Sequence, residues 1–141
     1  MIQAFNFIVR FIGLSNEIID SNFQSITGIK AIIDFEQNAS ANIHERANAK
    51  TIFTPVVLKR AIALPLQSPL LQWILKNISE PGFNILPEVL IEVLNESEEP
   101  ATVIKLRNVS LVSWSLGELN AEKSELLIEE IALAYTSLNI Q

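Results

Sequence analysis

The chain carries one histidine, His44, between residues that include Glu45 and Arg46, and it carries no cysteine. An imidazole beside a carboxylate can relay a proton or bind a metal. A zinc site, however, asks for a second histidine at helical spacing or for cysteines, and neither is present. On residue chemistry alone, His44 reads as a solvated or interface side chain. Carboxylates gather at Glu96–Glu99 and at Glu129–Glu130. Glycoside hydrolysis needs two acids facing each other across a cleft. The first group falls in a turn and the second beside an apolar strand, so they read as a solvated tip and as a surface or interface charge. With four glycines and no GxGxxG or GxxxxGK stretch, the chain offers no backbone cradle for phosphates. Disulfides, thiolate catalysis and cysteine metal sites are excluded outright. No acid, base, nucleophile or metal set converges, so the expectation is a protein that is not an enzyme and needs no cofactor.

Two further sets of residues have structural explanations. Asn38, Asn77, Asn95 and Asn108 each head an Asn-X-Ser triplet, but the N-terminus lacks a basic region and has Arg10 within its apolar stretch, a poor secretion signal. Trp73 and Trp114 have no basic cluster around them and read as core anchors rather than stacking platforms. The balance of charge agrees with this. A net charge of −6 and a pI near 4.8 argue against nucleic acid, which calls for a basic stripe. No run approaches the length of a membrane helix, and assembly in a cytoplasm is expected.

A chain of 141 residues with 49% hydrophobic and 18% charged residues has one domain's length and more apolar surface than a small soluble core needs. Some of it is expected between subunits. One domain spanning 1–141 is expected, without repeats or linkers. Phe5, Phe7, Val9 and Phe11 alternate with polar positions as a strand with one buried face. Phe23–Gly28 reads as a short strand ending at a glycine. Lys30–Glu36 reads as a strand with Ala31, Ile33 and Phe35 on one face, and Thr51–Arg60 as another, with an edge or bulge at Pro55. Ser68-Pro69 starts a helix over about 68–78 whose apolar face is Leu70, Leu71, Ile74, Leu75 and Ile78, with Trp73 off its centre. Glu88–Asn95 and Ala101–Asn108 form a hairpin about the acidic turn, and Ser110–Leu116 a separate strand. Ala121–Tyr135 is helical by propensity. Read with period two, it places Leu127, Ile131, Leu133 and Tyr135 on one face, with Glu129 the exception. The pattern specifies a mainly β fold: an antiparallel barrel or sandwich with one flanking helix.

Between the third and fourth strands lies a polar run, Gln37–Lys50, with no glycine or proline. It is too long for a tight hairpin turn, and loops of that length in a compact domain are usually functional or disordered. It reads as a long hairpin loop, about 37–50, presenting a surface to a partner.

Taken in order, these pieces resemble the tail-tube (inner tube) protein family of contractile phage tails and contractile injection systems. FNFIVRFIGL resembles the family's first strand, and FQSITGI, Phe23 to Ile29, its Phe-x-x-(Val/Ile)-(Ser/Thr)-Gly-(Leu/Ile) segment. VVLKRAI, Val56 to Ile62, resembles its Leu-Lys-Arg-Gly strand end, with Ala61 in place of Gly, and LLQWIL its tryptophan-bearing helix. Leu119-Asn120-Ala121 and the segment after it resemble the closing strand, so the last element is expected to be β despite its helical propensity. The long loop departs from the family in lacking glycines and a Leu-Pro-Gly. The resemblance implies a subunit of hexameric rings that stack into a hollow tube inside a contractile sheath, with edge strands pairing between neighbours. Its partners would be copies of itself, sheath subunits and baseplate hub or initiator proteins. In that arrangement Glu36, Gln37, Asn38, His44, Glu45, Arg46 and Lys50 would touch the adjacent ring, with charges setting register more than affinity. A tube-initiator ring at the baseplate is an alternative within the same fold. A monomeric barrel binding an apolar ligand is an alternative of another class.

Overall fold

The computed structural model describes residues 6–15, 21–35, 49–62, 68–119, 121–122 and 127–141. Nine strands and one helix occur among them: β1 (Asn6–Ile12), β2 (Ser25–Thr27), β3 (Ala31–Phe35), β4 (Ala49–Phe53), β5 (Val56–Ile62), α1 (Pro69–Ser79), β6 (Leu86–Leu94), β7 (Pro100–Leu116), β8 (Leu127–Ala134) and β9 (Ser137–Ile140). Seven strands form one sheet in the order β1-β6-β7-β8-β5-β2, with β9 added on β7, while β3 and β4 pair only with each other. Every ladder is antiparallel. The expected barrel-like fold with one flanking helix is therefore the observed one.

The sheet curls because β7 serves two half-sheets. Its first part, through Val109, pairs with β6 and β9, and its second part, from Ser110, pairs with β8. What reads in sequence as two strands is one strand of 17 residues, bent where Asn108 takes a left-handed φ of 53°. The other chain crossing this corner bends there too. Thr136, between β8 and β9, receives a hydrogen bond from Asn108 Nδ2 at 2.8 Å, and its own N–H donates to the Arg107 carbonyl at 2.9 Å. Both crossings are thus tied at one point, and the two half-sheets close over a common core.

That core is built from side chains of five strands: Val9 and Phe11 of β1, Val56 and Leu58 of β5, Val89 and Ile91 of β6, Leu106 of β7, and Ile131 and Leu133 of β8 are all buried. Full burial of each such side chain stabilises by roughly 1.5–3 kcal/mol, which holds strands distant in sequence together. Phe7 packs against this core, and Phe5 lies outside the described residues.

Ser68 caps α1 as its residue type predicts, accepting the Leu71 N–H at 3.0 Å ahead of Pro69. The buried face corrects the sequence reading. Leu70, Trp73, Ile74 and Asn77 face inward, whereas Leu75 and Ile78 are exposed. The polar atoms on that rotated face are satisfied, because Trp73 Nε1 donates to the Asn84 carbonyl and Asn77 Nδ2 to the Trp73 carbonyl, each at 2.8 Å. A large indole at the core outweighs two aliphatic side chains, provided its N–H has an acceptor.

A candidate assembly surface

Four features of the described residues stand out, three on the surface and one buried. The first is the β3–β4 arm. Thr51–Arg60 is not one strand; it breaks at Thr54-Pro55 into β4, on the arm, and β5, inside the sheet between β8 and β2. Pro55 thus marks the joint between arm and barrel, where a residue without an N–H costs no ladder bond. The joint is pinned. Thr54 Oγ1 donates to the Gly28 carbonyl at 2.8 Å, its N–H donates to the Lys30 carbonyl at 3.1 Å, and the Phe53 and Tyr135 rings lie 5.3 Å apart. Beyond it every residue of β3 is exposed, including Ile33 at 61% and Phe35 at 52%. Alternation places Ala31, Ile33 and Phe35 on one face as expected, and among the described residues nothing buries that face.

Of the residues expected to contact an adjacent ring, Lys50 is placed: it lies on β4, not in a loop, in register with Asp34 of β3. Glu36, Gln37, Asn38, His44, Glu45 and Arg46 lie outside the described residues.

The second feature is an open seam between β1 and β2, the two ends of the sheet. At one end it is closed, by the Val9 N–H bonding to the Ser21 carbonyl at 3.0 Å and by the Phe11 and Phe23 rings 6.1 Å apart. At the other end lies an apolar groove of about 310 Å³ lined by Phe7, Ile26, Ile29, Ile91, Val93 and Ile104. The third is the second half of β7. From Ser110 to Leu116 it pairs with β8 on one side, and among the described residues no strand pairs with the other. The register shift between Leu111 and Ser113 makes Val112 a bulge residue, and its side chain is 53% exposed.

The fourth is buried and polar. Arg60 Nε donates to Glu129 Oε1 at 2.6 Å, and Trp114 Nε1 donates to Glu129 Oε2 at 2.8 Å. Glu129 is therefore a core residue rather than the surface or interface charge that its neighbour Glu130 suggested. Glu129 is fully buried, and each of its oxygens accepts a hydrogen bond within the core. Arg60 also stands over the Phe23 ring, 5.5 Å from its centroid, tying the seam to the core. Glu96, Glu98 and Glu99 are exposed on the β6–β7 turn, where the Asn95 side chain accepts the Ser97 and Glu99 N–H groups. Among the described residues, no three potential metal ligands come together and no helix is long and apolar enough to cross a membrane.

What is left is surface built for contact. The family model for the T4-like virus tail tube protein gp19 matches residues 3–139. The chain belongs to that family. No curated protein sequence matches it, but solved structures share the fold. A chain in the anti-feeding prophage baseplate is 23% identical, with a TM-score of 0.75 over 100% of this chain and 94% of that one. A chain of the sheath-tube complex of the PVC extracellular contractile injection system is 17% identical, with a TM-score of 0.70 over 100% and 91%. Hcp1 from Salmonella typhimurium is 10% identical, with a TM-score of 0.60 over 98% and 86%. This is therefore a tail-tube-family protein of the kind found in contractile tails and injection systems, and its family is structural.

Proposed function

We propose that this tail-tube protein is a subunit of the inner tube of a contractile tail or injection particle, forming hexameric rings that stack into a hollow conduit inside a contractile sheath. The observation that carries this reading is the arm: a pinned hairpin whose apolar face is exposed among the described residues, on a fold matched by the tail-tube family along nearly its whole length. An exposed apolar face of that kind marks a surface that another molecule covers. Head-to-tail contacts that close by rotation give rings, and axial repetition gives tubes. Sheath subunits and a baseplate hub are the partners such a tube requires. The likeness to a chain of the anti-feeding prophage baseplate supports a second reading, a ring of the same fold that nucleates the tube at the baseplate.

Negative-stain electron microscopy with sedimentation over a concentration series tests the reading. Stacked rings or tubes support the bulk subunit, and single rings that never stack support the initiator. A monomer throughout the series, even with a baseplate nucleus added, overturns both. Lys50→Glu is expected to leave rings intact and to shorten or abolish tubes, because it reverses the arm's charge beside Asp34. Tubes of normal length would remove Lys50 from the axial contact.

A further inference from the structure

We propose that Tyr135 is the latch of the β3–β4 arm: the arm takes two positions about the crossing of Gly28 and Pro55, one with Phe53 seated on the Tyr135 ring and one swung off it, which frees the phenol hydroxyl. The pivot is a point where two chain segments touch. Gly28 has a φ of 85°, and a Cβ there would lie 2.7 Å from the Pro55 carbonyl oxygen, so the segment entering β3 and the segment leaving β4 cross in contact. Each side of the pivot is rigid in itself. On the arm, β3 and β4 are laddered to one another over five residue pairs and, among the described residues, to no other strand. On the barrel, Tyr135 is held from both sides, by Ala134 in the β8 ladder and by the Thr136 N–H on the Arg107 carbonyl. The angle between the two bodies is set at the root, by the Thr54 hydroxyl on the Gly28 carbonyl at 2.8 Å and by the Phe53 ring 5.3 Å from that of Tyr135.

The latch is incomplete. Tyr135 is 5% exposed, and its hydroxyl is buried with no hydrogen-bond partner among the described residues. The Lys30 main chain, at the arm's root, is near enough to hold back the rise that burial brings to the phenol's pKa. The hydroxyl therefore lies under the root, yet its proton meets no acceptor there. A buried donor left unmade carries the desolvation cost of the group, and an orphan of this kind in a native fold calls for a reason. The docked arm is what keeps water from it. Swinging the arm loses the ring contact, and hydration of the phenol offsets part of that loss. The two positions are thus close in free energy, and a partner that binds one of them better shifts the arm. Such an arm meets a neighbouring surface by changing its angle, with the barrel core undisturbed. The motion belongs to the single subunit and does not depend on which assembly it enters.

Tyr135 is the sole tyrosine and the chain has no cysteine to consume the reagent, so tetranitromethane reads this one phenol through the absorbance of nitrotyrosine. In the docked position the phenol is shielded, and nitration proceeds through the swung one. Thr54→Val removes the hydroxyl that ties the root to the Gly28 carbonyl. It is expected to speed nitration by roughly 2- to 13-fold. Gly82→Ala, at a φ of 75° and with nothing within 4 Å of the added Cβ, lowers global stability without touching the root. It should leave the nitration rate at the wild-type value. Fluorescence of Trp73 and Trp114 verifies that each variant is folded. Nitration that speeds up in Gly82→Ala as much as in Thr54→Val would mean that the phenol is reached by global unfolding, and would overturn the latch. A Thr54→Val rate equal to wild type, or no nitration of the native protein, would overturn it too. Rings and tubes are read separately by microscopy, so each of these outcomes leaves the tube reading standing.

Discussion

Arg60 Nε and Glu129 Oε1 meet at 2.6 Å as a directly opposed pair on β5 and β8, with side chains 3% and 0% exposed. Burying two charges is costly, and the cost is offset here by close approach and by the Trp114 indole on the second carboxylate oxygen. Removing one partner is expected to be worse than removing both. Glu129→Ala should cost about 3–5 kcal/mol by leaving a buried guanidinium without its counter-charge, whereas Arg60→Met with Glu129→Leu should recover most of that loss. Urea denaturation at one protein concentration checks both, since assembly would otherwise shift the midpoint. A double variant as unstable as Glu129→Ala would show that the pair is not the reason for the loss.

The indole has a separable share. Trp114→Phe keeps most of the ring packing and removes the donor to Glu129 Oε2, leaving a buried carboxylate oxygen short of one hydrogen bond. The expected loss is about 1–3 kcal/mol. It should nearly vanish when Glu129 is already replaced by Leu, a coupling that a double-mutant cycle reads directly.

These residues also mark how far the sequence could be read. The period-two pattern of β8 was visible, with Glu129 as its flaw, but the flaw became intelligible only once Arg60, 69 residues away, was seen beside it. Local pattern carries no information about such a partner. The same limit explains α1, where the aliphatic stripe pointed to Leu75 and Ile78 while Trp73 and Asn77 took the core through bonds to Asn84 and to the helix backbone. It also explains β7, read as two strands, Ala101–Asn108 and Ser110–Leu116. The left-handed conformation that asparagine tolerates bends the strand there instead of ending it. β9 went unread, since four residues after a buried tyrosine give little periodicity. β8 itself is helical by propensity and was recognised as a strand only through family resemblance. Of the assembly surface, the arm's outline was legible. The seam and the second half of β7 depend on strand order, which no local pattern encodes.

The bend at Asn108 gives a graded test. Asn108→Gly keeps the left-handed backbone and loses only the bond to Thr136, about 0.5–1.5 kcal/mol. Asn108→Val loses the same bond and forces a β-branched residue into that conformation, adding about 1–2 kcal/mol. Thermal melts should therefore rank wild type, Gly, then Val. Equal losses would mean that the bend is not held by backbone conformation.

At the arm's root, Gly28 has a φ of 85° and a Cβ there would lie 2.7 Å from the Pro55 carbonyl oxygen; Gly82 has a φ of 75°, but a Cβ there meets nothing within 4 Å. Gly82→Ala thus reports the backbone cost alone, about 1 kcal/mol, and Gly28→Ala that cost plus a clash with main chain. Gly28→Ala is expected to be the more damaging by denaturation. It should also weaken ring assembly, because it displaces Pro55 and with it the arm. Equal effects would show that the root yields without cost.

Tyr135 is the sole tyrosine, so its ionisation can be followed without interference. Burial raises its pKa above the usual 10.0, and the Lys30 backbone partly offsets the rise. Because the folded state holds this proton more tightly than the unfolded chain, unfolding releases protons once the pH passes the unfolded value. The contribution to stability is therefore complete below pH 10.0 and is lost as the pH climbs from there through the folded pKa. Tyr135→Phe keeps the ring against Phe53 and has no proton to lose. The stability of the wild type relative to Tyr135→Phe should be flat below pH 10.0 and fall above it, in step with the rise of tyrosinate absorbance. A difference that stays level through the alkaline range would show that the phenol titrates as freely in the fold as in the open chain.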